Sequence, residues 1–161
     1  MYKVGEYIVY KKDVCKILDI KENKINKTMY YILSPIDDET LKVDVPVDNR
    51  CNFIRDLITK EQVEEIINKI PDIKEIETSD RIIENEYKEL MKKGTHEDLI
   101  KIIKTTYLRN KTRKDSKKKI SEKDEYYLER AEKYLYTEFG MVLTLNYEQT
   151  KQYIIDKIKN K

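Results

Sequence analysis

The chain has 161 residues and a mass of 19.5 kDa, which allows one mid-sized domain or two small ones. Charged residues make up 40% of it, no stretch approaches the roughly 20 apolar residues of a membrane-spanning helix, and the first residues lack the apolar region of a secretory signal. We therefore expect a soluble, cytoplasmic protein. Three Gly, three Pro and two Cys exclude a Gly-rich phosphate loop and a disulfide framework.

Four runs within residues 1–58 have the β-branched and aromatic composition of strands, and turn-prone segments separate them. They cover residues 7–10, 14–20, 28–33 and 41–47. Four or five short antiparallel strands in so short a segment favour a small, strongly bent sheet of SH3 or Tudor type. We predict that residues 1–58 form such a β-barrel domain.

The run at residues 41–47 alternates strictly, which predicts a half-buried strand. One face carries the apolar residues Leu41, Val43, Val45 and Val47. The other face carries Lys42, Asp44 and Pro46. Because Pro46 cannot donate a ladder hydrogen bond, at least this part of the strand is expected at a sheet edge or a bulge.

From residue 59 onward the hydrophobic period becomes that of helices. Four helix starts are indicated by Thr59, Thr95, Ser121 and Asn146, each followed three residues later by Gln or Asp. Gly94 is well placed to end another helix. The predicted helices are 60–69, 80–93, 96–109, 121–143 and 147–159. We therefore predict an α+β protein whose residues 59–161 form an all-α, five-helix domain.

Residues suited to catalysis or metal binding are few. His96 is the only histidine, and its place in the first turn of a predicted helix favours a solvated polar role. Cys15 and Cys51 have no CxxC spacing and no neighbouring His, so they are expected to be reduced thiols rather than zinc ligands. We expect no catalytic residues, no metal, no cofactor and no enzymatic activity.

The charge of the chain nearly cancels, with a net +2, but it is unevenly distributed. Residues 1–59 have a net charge of 0, residues 60–104 of −3, residues 105–119 of +6 and residues 120–161 of −1. The Lys and Arg of the +6 segment, with Thr and Ser between them, are the groups that contact phosphate oxygens. The segment is either a DNA-backbone contact between two helices or a solvated loop.

The chain also contains thirteen Tyr. The spacing of Tyr126, Tyr127, Tyr134 and Tyr136 places several of them on the inner face of the fourth predicted helix. Core packing with the hydroxyl at the rim is favoured over stacking on nucleobases.

Several short motifs stand out by their order and spacing. KVGEYIVY (residues 3–10) opens the chain, and YYIL (30–33) and VPVDN (45–49) follow in the strand region. Further on come Ile120-Ser121 and the LERA run at 128–131, with Leu135 and Glu138. Over nearly the whole chain these motifs resemble the CarD/CdnL family of bacterial RNA polymerase-binding transcription regulators, with its K-V-G-D-x-V-V-Y opening, V-P-x-x-N turn and L-S … L-x-x-A … L-x-x-E helix.

The resemblance implies a division of labour. The Tudor-like N-terminal module, which the family shares with transcription-repair coupling factors, docks on the β subunit of RNA polymerase. The helical module meets promoter DNA at the upstream edge of the transcription bubble. Docking of this kind adds a strand to a sheet edge, so we predict that Lys42, Asp44 and Pro46 lie at or near the polymerase contact. We expect a monomer with no membrane partner and no small-molecule substrate.

The chain departs from the family at one position. Many members carry a Trp that wedges into the minor groove, fourteen residues before the Gly that closes the second helix of the C-terminal module. Counting back fourteen residues from Gly94 gives Asp80. A carboxylate cannot stack on a base step and repels phosphate, so the wedge is not carried over. We predict Asp80 to be a helix N-cap instead.

Basic side chains remain as candidates for contact with the DNA backbone. They are Arg81, Arg109, Lys111, Arg113, Lys114, Lys117, Lys118, Lys119, Lys123 and Arg130. Such contacts depend strongly on salt and little on sequence. We expect them to favour an open or bent promoter and so to modulate the stability of the open complex. One alternative is a polymerase-bound adaptor without DNA contact, which the missing Trp favours. Another is RNA binding by the N-terminal domain, which the neutral charge of that domain disfavours.

Overall fold

Five strands in the first part of the chain form one antiparallel sheet in the computed structural model, which describes residues 1–159. The strands are β1 (Tyr7–Tyr10), β2 (Asp13–Glu22), β3 (Met29–Pro35), β4 (Val43–Pro46) and β5 (Ile54–Arg55). Their order is β4-β3-β2-β1-β5, so β4 and β5 lie at the two edges. Residues 1–57 form one compact unit, and a second unit begins at Ile58.

The longest strand, β2, carries an irregularity in its pairing with β3. Its register with β3 shifts between Ile17 and Asp19, as in a β-bulge. The inner face of the sheet buries Ile8, Ile17, Tyr31 and Leu33 almost completely. This small core is what the alternating pattern of the strands predicts.

One residue of the predicted strand 41–47 does not follow its pattern. Val45 is buried and Val43 is half-buried as expected, but Leu41 is 49% exposed. The prediction was wrong there because β4 begins only at Val43. The backbone N–H of Leu41 instead donates to the carbonyl of Asp38, which places Leu41 in the preceding turn.

Five helices follow the sheet and confirm the predicted α+β class. They are α1 (Lys60–Lys69), α2 (Ile83–Lys93), α3 (His96–Asp115), α4 (Glu122–Leu143) and α5 (Tyr147–Lys159), with a 3-10 turn at Ile70–Asp72. The predicted caps are present at all four helix starts. Thr59 and Thr95 form reciprocal capping boxes, the Ser121 hydroxyl accepts from Asp124 N–H, and Asn146 exchanges hydrogen bonds with Gln149.

Two helix boundaries differ from the prediction. Helix α2 begins at Ile83 rather than at residue 80, and Asp80 is not its N-cap. Helix α3 continues to Asp115 rather than ending at residue 109, because no Gly or Pro interrupts it. It ends where Lys117 adopts a left-handed conformation with φ +58°. The end of α2 is as expected, since Gly94 has φ +66° and donates to the Leu90 carbonyl.

The helical unit has its own core, built on side chains from all five helices. Ile67, Tyr87, Ile102, Leu135 and Phe139 are almost fully buried in it. Among residues 1–159, no helix is both long enough and apolar enough to cross a membrane.

The tyrosines of α4 are divided between the core and the surface. Tyr127 and Tyr136 are buried, as predicted. Tyr126 is 54% exposed and lies outside the core. Tyr134 is only half-buried.

Candidate polymerase and nucleic-acid interfaces

Strand β4 presents one side of its backbone away from the sheet. Just beyond the strand, the N–H of Val47 donates to the Met29 carbonyl at 3.0 Å. Hydrogen-bonded pairs alternate in an antiparallel ladder, so Val45 and Val43 bond to β3, and the backbone groups of Asp44 and Pro46 point away from it. Pro46 lacks an N–H at a position that faces away from β3, so no hydrogen bond between β4 and β3 is lost.

The candidate polymerase-contact residues lie on or next to this edge. Asp44 and Pro46 belong to β4, Lys42 immediately precedes it, and all three side chains are exposed. In the described part of the chain no strand lies beyond β4. The edge is thus open to another strand, although the Pro46 carbonyl already accepts from Asn49 N–H at 3.3 Å.

The opposite edge is occupied by a side chain. Lys11 N–H bonds to the Phe53 carbonyl, so the alternation makes the backbone groups of Ile54 in β5 point outward. The amide of Asn49 satisfies both of them: its Nδ2 donates to the Ile54 carbonyl at 2.9 Å, and its Oδ1 accepts from Ile54 N–H at 3.1 Å. Asn49 adopts φ +51°, a region in which Asn is favoured. Of the two edges, β4 is therefore the accessible one.

In the helical unit, Arg109 bridges two carboxylates instead of projecting into solvent. Its Nη1 lies 2.7 Å from Asp80 Oδ1, and its Nε lies 3.1 Å from Oδ2 of Asp124, which is fully buried. Tyr87 donates its hydroxyl to the other oxygen of Asp124 at 3.0 Å. Only 20% of the Arg109 side chain is exposed. The arginine, on α3, links the segment before α2 to α4 and is part of the framework of the unit.

The pKa values in this cluster follow from its charges. The hydrogen bond and the positive charge of Arg109 hold the pKa of the Asp80 carboxyl below its usual value. Burial, followed by the charge of Asp124 and the hydrogen bond to it, raises the pKa of the Tyr87 hydroxyl. Asp80 is thus an ion-pair partner of α3, which corrects its predicted role as an N-cap.

Side chains of α3 also hold the segment between α1 and α2. The Thr105 hydroxyl accepts from Ile76 N–H at 2.8 Å, and Lys104 donates to the Ile70 and Ile73 carbonyls. Arg113 approaches Asp80 at 4.0 Å. Thr105 and Thr106 are buried, so these two residues of the +6 segment do not face solvent.

The remaining basic candidates are exposed, and they differ in whether a carboxylate lies close to them. Helix α3 and the turn after it expose Lys111, Lys114, Lys117, Lys118 and Lys119. Arg81, Lys123 and Arg130 are also exposed, and Lys123 lies 3.1 Å from Glu84. The +6 segment is helical as far as Asp115, which corrects the expectation that it is a loop. Three of the candidates, Arg109, Arg113 and Lys118, line one cavity beside Asp80. The roles of all the candidates in DNA binding stay predictions.

His96 does not have the solvated role expected for it. Its Nε2 lies 2.8 Å from Oε1 of Glu138, a buried residue of α4, and its ring packs against Phe139. The other oxygen of Glu138 accepts from Ile58 N–H at 3.0 Å. The histidine therefore anchors the start of α3 to α4.

The described residues include no group of three or more side chains placed to bind a metal ion. Cys15 is buried, and burial, together with the charges of Asp13 and Asp37, raises its pKa to about 12. Cys51 is exposed.

Two features of the surface were not predicted from the sequence. One is the closure of β5 by Asn49, whose only sequence signal is the VPVDN motif. The other is a stack on α4, where the guanidinium of Arg130 lies 5.4 Å from the ring centroid of Tyr126 and 5.9 Å from that of Tyr134. The i, i+4, i+8 spacing of these three residues was a usable signal.

Comparison with protein families gives a match to the CarD-like/TRCF RID domain over residues 2–58, which is nearly the whole N-terminal unit. Comparison with curated proteins gives no match. The matched family comprises domains that interact with the β subunit of RNA polymerase. The match covers the same residues that form the sheet, the VPVDN turn and the open β4 edge. Residues 2–58 of this chain are thus similar to the CarD-like/TRCF RID domain family.

Proposed function

We propose that the protein binds the β subunit of RNA polymerase by adding a strand of that subunit to the open edge of β4. The observation that carries this proposal is the RID-domain match over residues 2–58, in a sheet with one edge open and the other closed by Asn49. Main-chain hydrogen bonds provide the affinity in such docking, and alternate side chains provide specificity. Asp44 supplies an outward N–H and an outward carbonyl at the centre of β4.

The edge contact is tested by a backbone change that spares the sheet. Asp44→Pro deletes the outward N–H but leaves the bonds between β4 and β3, because Asp44 does not take part in them. We expect this variant, and the charge reversal Asp44→Lys, to lose capture of the polymerase β subunit. Glu22→Lys, a charge reversal at another exposed position, at the end of β2, serves as the matched control. Full capture by a folded Asp44→Pro variant would refute docking at β4.

For the helical unit we propose contact with promoter DNA through the exposed lysines of residues 111–119. These side chains extend from the end of α3 and the turn that follows it, and they neutralise phosphates without reading sequence. Arg109 and Arg113 contribute less, because carboxylates of the same unit already engage them.

Together the two contacts support a transcription regulator that acts without a catalytic step. A protein held on the polymerase adds its DNA contacts only in the promoter state that they fit, and thereby shifts the equilibrium between closed and open complexes. The measurement is the lifetime of open complexes on a responsive promoter with and without the protein. An unchanged lifetime at saturating protein would contradict the proposal.

A second candidate is a polymerase-bound adaptor that recruits another protein without touching DNA. The engagement of Arg109, Arg113 and Lys123 by carboxylates favours it. The two candidates differ in the effect of replacing Lys117, Lys118 and Lys119 by Gln. Promoter-DNA retention by the polymerase complex falls if the lysines contact DNA, and it is unchanged for an adaptor.

A further inference from the structure

Helix α4 carries an exposed stripe of cationic and aromatic side chains, here called the α4 stripe. With 3.6 residues per turn its members fall within an arc of about 100°. The stripe consists of Lys123, Tyr126, Arg130, Lys133, Tyr134 and Thr137. The first four are exposed and the last two are half-buried. Glu122 and Glu129, the acidic residues exposed on the same helix, lie to one side of the stripe.

The centre of the stripe is organised by cation-π contacts. Arg130 places its guanidinium between the rings of Tyr126 and Tyr134, and its Nη2 donates to the Tyr134 hydroxyl at 3.2 Å. The Tyr126 ring is fixed from another side by an edge contact with Tyr127, at 5.1 Å between centroids. More than half of the Tyr126 side chain nevertheless remains exposed. The result is a pre-ordered aromatic surface beside a guanidinium.

We propose that the α4 stripe binds single-stranded nucleic acid, with a base stacked on Tyr126 and phosphates at Arg130 and Lys123. Three cations along one arc complement a polyanion, and an exposed, fixed ring complements a base whose π-face is free. A duplex presents phosphates to the cations of the stripe, but its bases are stacked on one another. Their faces are therefore not available to the Tyr126 ring. Lys123 exchanges its contact with Glu84 for a phosphate when the strand binds.

This inference rests on the proposed promoter contact and deepens it, because it assigns one class of nucleic acid to α4. It also gives Tyr126 a stacking role, over which core packing was favoured for the tyrosines of α4. The lysines of residues 111–119 remain the proposed site for duplex DNA, so the two surfaces are separable by mutation.

The test uses the full-length protein and a short oligothymidylate carrying one 2-aminopurine, whose fluorescence reports stacking. We expect binding at low salt with a change in fluorescence. Tyr126→Ala should weaken binding by roughly tenfold, the order of one base-aromatic stack, and abolish the fluorescence change. Tyr126→Phe keeps the ring and should bind within about twofold of the wild type, as expected for sequence-tolerant stacking. Arg130→Lys keeps the charge but loses the stacked plane, and should also bind more weakly.

Tyr107→Ala is the matched control, because Tyr107 is a 62% exposed tyrosine on α3. It should bind as the wild type does. An equal loss in Tyr107→Ala, unchanged binding by Tyr126→Ala, or failure of the wild type to bind the oligothymidylate would each overturn the inference. Duplex promoter DNA is measured in parallel: if duplex is bound and single strand is not, the α4 stripe fails as a site while the proposed function stands. If neither is bound, the proposed DNA contact fails as well.

Discussion

Replacement of Asn49 by Ala removes the side chain that closes the β5 edge. Two hydrogen bonds to Ile54 are lost, at about 1 kcal/mol each, and Ala must adopt a left-handed conformation that costs it about 1 kcal/mol more than Asn. We expect the free energy of unfolding of the N-terminal unit to fall by about 2–3 kcal/mol. Asn49→Gly separates the two contributions, because glycine accepts the conformation but makes neither bond, and should lose about 2 kcal/mol.

Native-state hydrogen exchange measures this loss within the full chain, without interference from the helical unit. A fall of 2–3 kcal/mol corresponds to exchange of the protected β1 amides that is faster by about 30- to 160-fold. The helical unit serves as the internal reference, and its core amides in α4 should exchange at unchanged rates. Protection of β1 within about threefold of the wild type would refute the view that Asn49 stabilises this edge.

Three further changes probe the packing of the two units. Gly140→Ala places a Cβ 2.6 Å from a backbone oxygen of the α4–α5 turn, so chemical denaturation should show a loss of about 1–3 kcal/mol in the helical unit, and a loss below about 0.5 kcal/mol would contradict the close approach. Arg109→Met strands the buried carboxylate of Asp124 and should cost about 3 kcal/mol in the same assay, whereas Arg109→Met in an Asp124→Asn background should cost much less. Burial and the hydrogen bond to Asp56 raise the pKa of Tyr2 to about 12, above its unfolded value of about 10. Its contribution to stability is therefore fully present below pH 10 and is lost as the pH rises towards 12, and Tyr2→Phe should flatten that part of the stability profile of the N-terminal unit.

Local signals predicted the elements of this fold well. A helix start is determined by three or four adjacent residues. The capping pattern therefore predicted the first residues of α1 and α5 correctly. Pro46 predicted an edge or a bulge for its strand, because a missing N–H is tolerated only where no ladder bond is required, and β4 lies at the edge. Both inferences need no knowledge of distant residues.

The partners of charged residues could not be predicted in this way. Arg109 was read as a free cation because its segment is basic, yet its two partners, Asp80 and Asp124, are 29 and 15 residues away along the chain. The net charge of a segment counts only charges that are close in sequence. The carboxylates that neutralise Arg109 come from other parts of the chain. The same reason explains why the half-buried position of His96 against Glu138 was missed.

The open edge of β4 also bears on which partner it selects. An exposed edge strand pairs with a second copy of itself unless something opposes it, and charges or proline on the strand are common means of opposition. In an antiparallel self-pair centred on Asp44, the two carboxylates would lie opposite each other, and like charges at directly opposed positions are destabilising. Pro46 offers no outward N–H at the adjacent outward position, which shortens any such ladder. A partner strand with a cation opposite Asp44 avoids the repulsion between the two carboxylates, so we expect this edge to pair with a different chain rather than with a second copy.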